Sequence, residues 1–124
     1  MRLALVIAGG GLGSALRYLV GSVVASHAGS GFPWGTFAIN VAGSFLIGII
    51  ATLADEPGSV GPSARVFLVV GVLGGFTTFS AFSLETVRLL EDGQVTRALV
   101  YIGGSAGLAI FAAALGVWSA RASF

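Results

Sequence analysis

The stretch Gly74-Gly-Phe-Thr-Thr-Phe-Ser-Ala-Phe-Ser83 decides how this chain folds, because it interrupts an apolar run. The uncharged residues 66–84 number 19, close to the roughly 20 that a membrane-spanning helix needs. Two adjacent glycines weaken a helix, and the threonines that follow can satisfy the backbone groups that a break sets free. We therefore predict a third helix broken in mid-membrane, with carbonyls exposed at one half-helix end and N–H groups at the other.

The composition indicates a membrane protein. Of 124 residues, 56% are hydrophobic and only 9% are charged, whereas a soluble domain carries about 25% charged residues. Six arginines against five acidic residues give a net charge of +1, which forms no basic surface for nucleic acid. The lack of cysteine and the single histidine leave no thiolate chemistry and no histidine metal cluster. We predict an all-α protein with a single transmembrane domain, 1–124.

Uncharged runs separated by loop signals predict four helices. Two prolines close the second run in Asp55-Glu-Pro-Gly-Ser-Val-Gly-Pro62, and Glu91-Asp-Gly-Gln94 is a short polar turn that makes the last two helices neighbours. Another turn is expected at residues 27–33. The first apolar run resembles a signal peptide, but it continues past Arg17, so we interpret it as the first helix. The predicted helices are roughly 3–25, 33–54, 63–90 and 95–119.

Charge and aromatic residues bear on orientation in the membrane. Four spans put both termini and the 55–62 loop on one face, where Arg2, Arg65 and Arg121 lie. The other face has Arg88 and Arg97, with Arg17 in the outer half of the first helix. Positive charge normally sets orientation, and here it is nearly balanced. Either a weak difference suffices, or the chain inserts both ways up and pairs head to tail. Trp34 and Trp118, at opposite ends of the bundle, either form interfacial belts or simply pack.

Glycine favours close helix packing. The chain has 20 glycines, and three pairs have the small-xxx-small spacing that lets helices approach in a membrane: Gly9/Gly13, Gly71/Gly75 and Gly103/Gly107. The pairs serve packing within one bundle, association between copies, or both. Four short helices leave little room for a solvated pathway, so a transporter or channel of this size is expected to be an oligomer.

Polar side chains inside the spans are candidate functional groups. Thr36, Asn40 and Ser44 follow one another at i, i+4 spacing on the second helix. The Asn40 amide either donates to an anion or bonds across helices as a structural contact. Tyr101 and Ser105 form a second such stripe on the fourth helix.

Aromatic and charged residues after the break offer further candidates. Phe79 and Phe82 lie on adjoining parts of one helix face, and their positive ring edges can cradle a small anion unless they are ordinary packing residues. Glu85 and Arg88 are most simply a local ion pair. Arg17 either reaches the interface or draws anions toward a vestibule.

Three segments together resemble the Fluc/CrcB-type fluoride channels. These are Gly-Gly-Gly-Leu-Gly-Ser-Ala-Leu-Arg17-Tyr18 in the first helix, Gly35-Thr-Phe-Ala-Ile-Asn40-Val-Ala-Gly43-Ser-Phe45-Leu-Ile-Gly48 in the second and Gly74-Gly-Phe-Thr-Thr-Phe-Ser-Ala-Phe-Ser-Leu-Glu85 in the third. The likeness covers all four helices in order. The Thr-Thr-Phe-Ser-x-Phe run is its most specific part.

The resemblance implies an antiparallel, dual-topology homodimer with two fluoride pathways and a central sodium ion. By likeness, backbone carbonyls of Gly74 and Thr77 hold the sodium, and rings of both subunits flank each pore. The residues implied along the pathway are Thr36, Asn40, Phe79, Ser80, Phe82, Tyr101 and Ser105, with Arg17 at an aqueous vestibule. Ala81 and Ala109 depart from the family pattern, where threonine and serine are common.

The expected function is passive fluoride exit across the plasma membrane of a bacterial or archaeal cell. Fluoride is strongly hydrated, so its path must offer several hydrogen-bond donors, as these hydroxyls and the Asn40 amide do. A proton-coupled small multidrug transporter is the main alternative, but it needs a carboxylate well inside the membrane, and Glu85 lies near a helix end. A scaffold subunit explains the glycines but not the Thr-Thr-Phe-Ser-Ala-Phe run. An enzyme is least favoured, because no nucleophile–base pair or phosphate loop is present.

Overall fold

The computed structural model describes residues 1–29 and 31–124 as a bundle of long helices. Among the described residues the bundle has five helices in four spans, and the third span consists of two of them, α3 (62–76) and α4 (Phe79–Glu91). Within α3, the central segment Val66–Leu73 is a π-helix, flanked by the α-helical segments Pro62–Arg65 and Gly74–Phe76. The helices are α1 (Arg2–Ala28), α2 (Trp34–Asp55), α3 (62–76), α4 (Phe79–Glu91) and α5 (Val95–Arg121).

In the described part of the chain, four segments are long and apolar enough to cross a membrane, as the sequence predicts. Helix ends fall within three residues of the predicted bounds. Pro62 occupies the first position of α3, where its missing N–H is not needed. Gly93, at a φ of 75°, closes the turn between α4 and α5. Of the predicted 27–33 turn, Ser30 lies outside the described residues.

Glycines allow the first and third spans to pack backbone against backbone. A Cβ on Gly9 would lie 2.6 Å from the carbonyl oxygen of Phe67, and one on Gly75 would lie 2.5 Å from that of Gly10. The first two predicted small-residue pairs therefore serve packing within the chain. The Gly103/Gly107 pair on α5 differs, because a Cβ at either position would meet no atom of the described residues within 4 Å.

The break in the third span lies later than the double glycine suggests. Gly74 and Gly75 remain helical, and the chain becomes extended at Thr77 and Thr78, with ψ angles of 156° and 122°. The physical reason is packing: Gly75 is pressed against α1, while the Thr78 peptide finds hydrogen-bond partners on α2. The glycines thus permit a close helix contact, and the threonines form the interruption.

Most residues of the bundle are not covered by other residues of the chain. Only 11–22% of the residues in each apolar stretch are buried within the chain. The buried apolar side chains are few: Ile39, Leu73, Phe76, Ala98, Tyr101, Ala112 and Ala120. A soluble domain of this size would need a larger core to fold. The exposed apolar surface is suited to contact with lipid or with other membrane helices.

Candidate functional site

A pair of hydrogen bonds from α2 holds the break. The Asn40 side-chain amide donates to the Thr78 carbonyl at 2.9 Å, and its oxygen accepts the Thr78 N–H, also at 2.9 Å. An asparagine amide has two N–H groups, so one remains for another partner. The structural role considered for Asn40 is therefore present. The role of anion donor stays a prediction that the remaining N–H allows.

Threonine hydroxyls complete the hydrogen bonding around the break. The Thr77 hydroxyl donates to the Leu73 carbonyl at 3.0 Å, which finishes α3. The Thr78 hydroxyl accepts the N–H of Ala81 at 3.2 Å, so Thr78 is the N-cap of α4. It also lies 3.3 Å from the hydroxyl of Ser80. The two half-helices are thus each capped by a threonine.

The same bonds remove two carbonyls from the helical ladder. In a continuous helix, Gly74 oxygen would accept the Thr78 N–H, which here goes to Asn40. Thr77 oxygen would accept the Ala81 N–H, which here goes to the Thr78 hydroxyl. Between them, Gly75 oxygen accepts from Arg17 Nε at 3.1 Å. Gly74 and Thr77 thus present carbonyl oxygens without their helical donors, as a cation site would require.

An apolar cavity of about 400 Å³ lies beside the break. Its described lining carries no ionisable side chain. The hydroxyl of Ser105 is buried there without a hydrogen-bond partner among the described residues. Ala109 lines the same cavity. Of the predicted site residues it brings together Asn40, Gly74, Thr77, Phe79, Phe82 and Ser105.

Aromatic rings border this cavity. The Phe79 and Phe82 ring centroids lie 5.6 Å apart with planes tilted by 39°. Phe82 continues to the buried Tyr101 at 5.0 Å, and the Tyr101 ring meets Phe32 edge-on at 5.4 Å. Phe79 is 79% exposed and projects from the bundle. The Phe79 ring can therefore contact lipid or another membrane helix at this surface of the bundle.

A second, charged cavity of about 610 Å³ lies toward the end of the bundle where α1 ends and α2 begins. We call it the vestibule. Its walls include the predicted residues Arg17 and Thr36, together with Glu85, Arg88 and Asp92. The predicted polar stripe on α2 is therefore divided, since Thr36 faces the vestibule and Asn40 faces the apolar cavity.

The structure corrects or refines four sequence predictions: the Glu85–Arg88 pair and the surroundings of Tyr101, Ser80 and Arg17. Glu85 and Arg88 form no ion pair in the described part of the chain, because Glu85 accepts the Tyr101 hydroxyl at 3.2 Å. Tyr101 therefore directs its hydrogen to a carboxylate and lines neither cavity. Ser80 also lines neither cavity and is linked to them only through Thr78. Arg17 does face the vestibule, but its Nε is bonded to the break.

Sequence reasoning missed Thr78 as a site residue. Its backbone joins α2 to the break, its hydroxyl caps α4, and its side chain lines both cavities. A signal was present in the sequence. Thr78 directly precedes the Phe79–Glu91 helix, and threonine is a preferred N-cap residue.

These features define a class: a multi-pass membrane protein whose broken helix brings polar groups together between an apolar cavity and a charged vestibule. Comparison with known families agrees with this class. The family described as "CrcB-like protein, Camphor Resistance (CrcB)" matches residues 4–117. The chain belongs to the CrcB family.

Curated relatives support the same assignment over nearly the full chain. A protein of Rhizobium meliloti (strain 1021) is 53% identical over 95% of this chain and 94% of its own length. A protein of Thermus thermophilus is also 53% identical, over 93% and 91%. A third, from Nitrobacter winogradskyi, is 50% identical over 94% and 92%. Each bears the name fluoride-specific ion channel FluC.

Proposed function

We propose that this protein is a fluoride-selective channel that lets fluoride leave the cytoplasm passively, which lowers its concentration there. The observation that carries the proposal is about 50% identity over nearly the full length to proteins named fluoride-specific ion channels. The fold supports it, because the break in the third span places hydrogen-bond donors next to a cavity inside a membrane domain.

The chemistry of the apolar cavity suits a small anion. Fluoride gives up its hydration only where donors replace the water, and hydroxyls and amides supply them without a fixed charge. Asn40 retains one N–H, and Ser105 has a buried hydroxyl with no partner in the described chain. No cationic side chain lines the described cavity wall, so a bound anion is not trapped by a full positive charge.

The vestibule and the rings fit the two ends of such a path. Arg17 and Arg88 raise the local concentration of anions at the water-filled entrance, while Glu85 and Asp92 limit how tightly they are held. Phe79 and Phe82 present polarised ring edges at the cavity. Their role as anion contacts in both subunits is part of the proposal.

Fluoride efflux from liposomes tests the function. Purified protein is reconstituted with fluoride and chloride inside, and electrodes record the release of both ions after the membrane potential is clamped. Rapid fluoride release with little chloride release is expected. Comparable release of both ions, or of neither from folded protein, would reject a fluoride-selective channel.

We propose further that two copies assemble as an antiparallel homodimer. The nearly balanced arginines allow insertion in both orientations. The exposed Phe79 and the open cavity beside it supply a face for a second copy. Native mass spectrometry tests the stoichiometry, and labelling of a single cysteine introduced at Ser123 tests the orientation in cells. Monomers, or labelling from one side only, would contradict this assembly.

A sodium ion at the centre of that dimer is the remaining proposal. The Gly74 and Thr77 carbonyls lack their helical donors and are the hard oxygen ligands that alkali cations accept. Two such oxygens from each copy would supply four ligands, and the cation would add positive charge near the break. Proteoliposomes prepared without sodium, with a large organic cation instead, should lose fluoride flux and recover it with sodium. Unchanged flux would reject the ion's role.

A further inference from the structure

The two cavities meet at one side chain. Of the described residues, Thr78 alone lines both the apolar cavity and the vestibule. Its surroundings differ on the two sides. The vestibule has four charged residues in its walls, and the apolar cavity has none among its described lining residues. An ion passing from one to the other would therefore leave charged walls for an uncharged lining beside Thr78.

The backbone fixes Thr78 at this position. The side chain of Asn40, on α2, accepts the Thr78 N–H and donates to the Thr78 carbonyl, each at 2.9 Å. The backbone of Thr78 is therefore fixed at both of its polar groups. The Thr78 hydroxyl oxygen is also directed, because it accepts the N–H of Ala81 at 3.2 Å. A side chain anchored in this way can offer a group to an ion without a large loss of side-chain freedom.

The hydrogen count around the hydroxyl leaves a donor available. Thr78 and Ser80 hydroxyl oxygens are 3.3 Å apart, so one of the two donates to the other. Each hydroxyl has one hydrogen, and the pair therefore uses one and keeps one. When Ser80 donates to Thr78, the Thr78 hydroxyl keeps its own hydrogen and can turn it toward an anion. This arrangement also gives the exposed Ser80 a link to the cavities that it does not line.

We propose that Thr78 is a specificity-determining residue of the pathway, whose hydroxyl replaces part of the anion's hydration where the vestibule passes into the apolar cavity. The inference rests on the proposed fluoride conduction and adds the place at which the ion loses water. Losing water costs more free energy for fluoride than for the larger halides. The Thr78 hydroxyl therefore favours fluoride only if this donor stays in position while the ion passes.

Four variants separate this role from helix capping. Thr78→Val removes the hydroxyl at constant shape, and Thr78→Ser keeps it. Thr78→Asp keeps an acceptor for the Ala81 N–H, but its carboxylate offers no hydrogen and repels anions. Thr86→Val is the matched control, because the Thr86 hydroxyl bonds Phe82 within α4 and lines neither cavity.

Fluoride efflux from liposomes is measured for the parent protein and each variant, alongside thermal unfolding in detergent. We expect Thr78→Val and Thr78→Asp to slow efflux at least about tenfold, the change for losing one hydrogen bond to an ion. Thr78→Ser and Thr86→Val should stay within about threefold of the parent, a smaller change than one such bond gives. The thermal unfolding measurement shows whether each variant still folds, so that a loss of efflux is compared only among folded proteins.

Three results would overturn the inference while the parent still conducts. They are parent-like efflux in Thr78→Val, parent-like efflux in Thr78→Asp, and a loss in Thr78→Ser as large as that in Thr78→Val. The second would show that capping alone matters. If Thr78→Val fails to fold, the Ser and Asp variants still decide. Absence of fluoride release from the parent would instead reject the proposed function itself.

Discussion

Replacing Asn40 with alanine removes both hydrogen bonds between α2 and the Thr78 peptide. Interhelical hydrogen bonds in membrane proteins are worth about 0.6 kcal/mol on average and up to about 1.7 kcal/mol. Two of them give a loss of about 1–3 kcal/mol in the free energy of unfolding, and the Thr78 N–H and carbonyl lose these protein partners. We also expect fluoride efflux to fall, since the freed break would no longer hold the cavity walls in place.

Unfolding in mixed detergent micelles measures the stability change, and liposome efflux measures conduction. Thr52→Val is the matched control on the same helix, because the Thr52 hydroxyl donates within α2, to the Gly48 carbonyl at 2.7 Å. Asn40→Asp adds a contrast, since a carboxylate can still accept the Thr78 N–H but sets a second oxygen against the Thr78 carbonyl. If Asn40→Ala unfolds and conducts like Thr52→Val, the two hydrogen bonds from Asn40 to Thr78 do not stabilise the break.

Three further outcomes follow from the structure. Phe82→Ile should remove most fluoride efflux without changing the oligomeric state seen on gel filtration, and normal efflux would reject the aromatic contact. Gly75→Ala should lower stability by more than about 1 kcal/mol because its Cβ meets a carbonyl of α1, whereas Gly107→Ala, with nothing within 4 Å, should leave the single chain's packing unchanged in the same unfolding assay. Arg65→Gln should cost less than about 1 kcal/mol of unfolding free energy, since its 3.1 Å bridge to Asp55 is exposed; a larger loss would show that the bridge is not a simple surface pair.

The spans were predictable because their signals are local. Apolar runs of about 20 residues, the Pro62 start and the Glu91-Asp-Gly-Gln94 turn each act through their own sequence neighbours, and the helices have nearly the expected bounds. The interruption of the third span was also predictable, since a double glycine followed by two threonines marks a weak point. The membrane class followed from composition alone.

The exact position of the break was not predictable, because it depends on distant residues. Gly75 stays helical owing to its contact with α1, and Thr78 becomes extended where Asn40, 38 positions earlier, bonds its peptide. The same holds for Glu85. Its neighbour at i+3 is Arg88, but the fold brings Tyr101 to its carboxylate instead. Local spacing cannot rank such partners, since the choice is made by tertiary packing.

The structure brings several of the predicted site residues together but divides them between two cavities. Asn40, Phe82 and Ser105 meet at one cavity, while Thr36, from the same predicted stripe, faces another. Helical spacing places residues on one face of a helix, but it does not show where a neighbouring chain segment crosses that face. Thr78 belongs to such a segment, and its place between the two cavities is visible only once both cavities are located.

Planar bilayer recording tests the central claim most directly. The purified protein is inserted between solutions that hold opposing gradients of fluoride and chloride, and the voltage at which the current reverses is read. A fluoride-selective channel predicts a steady current that reverses at the equilibrium potential of fluoride. Reversal at the chloride potential, or a silent membrane with folded protein incorporated, would contradict the account.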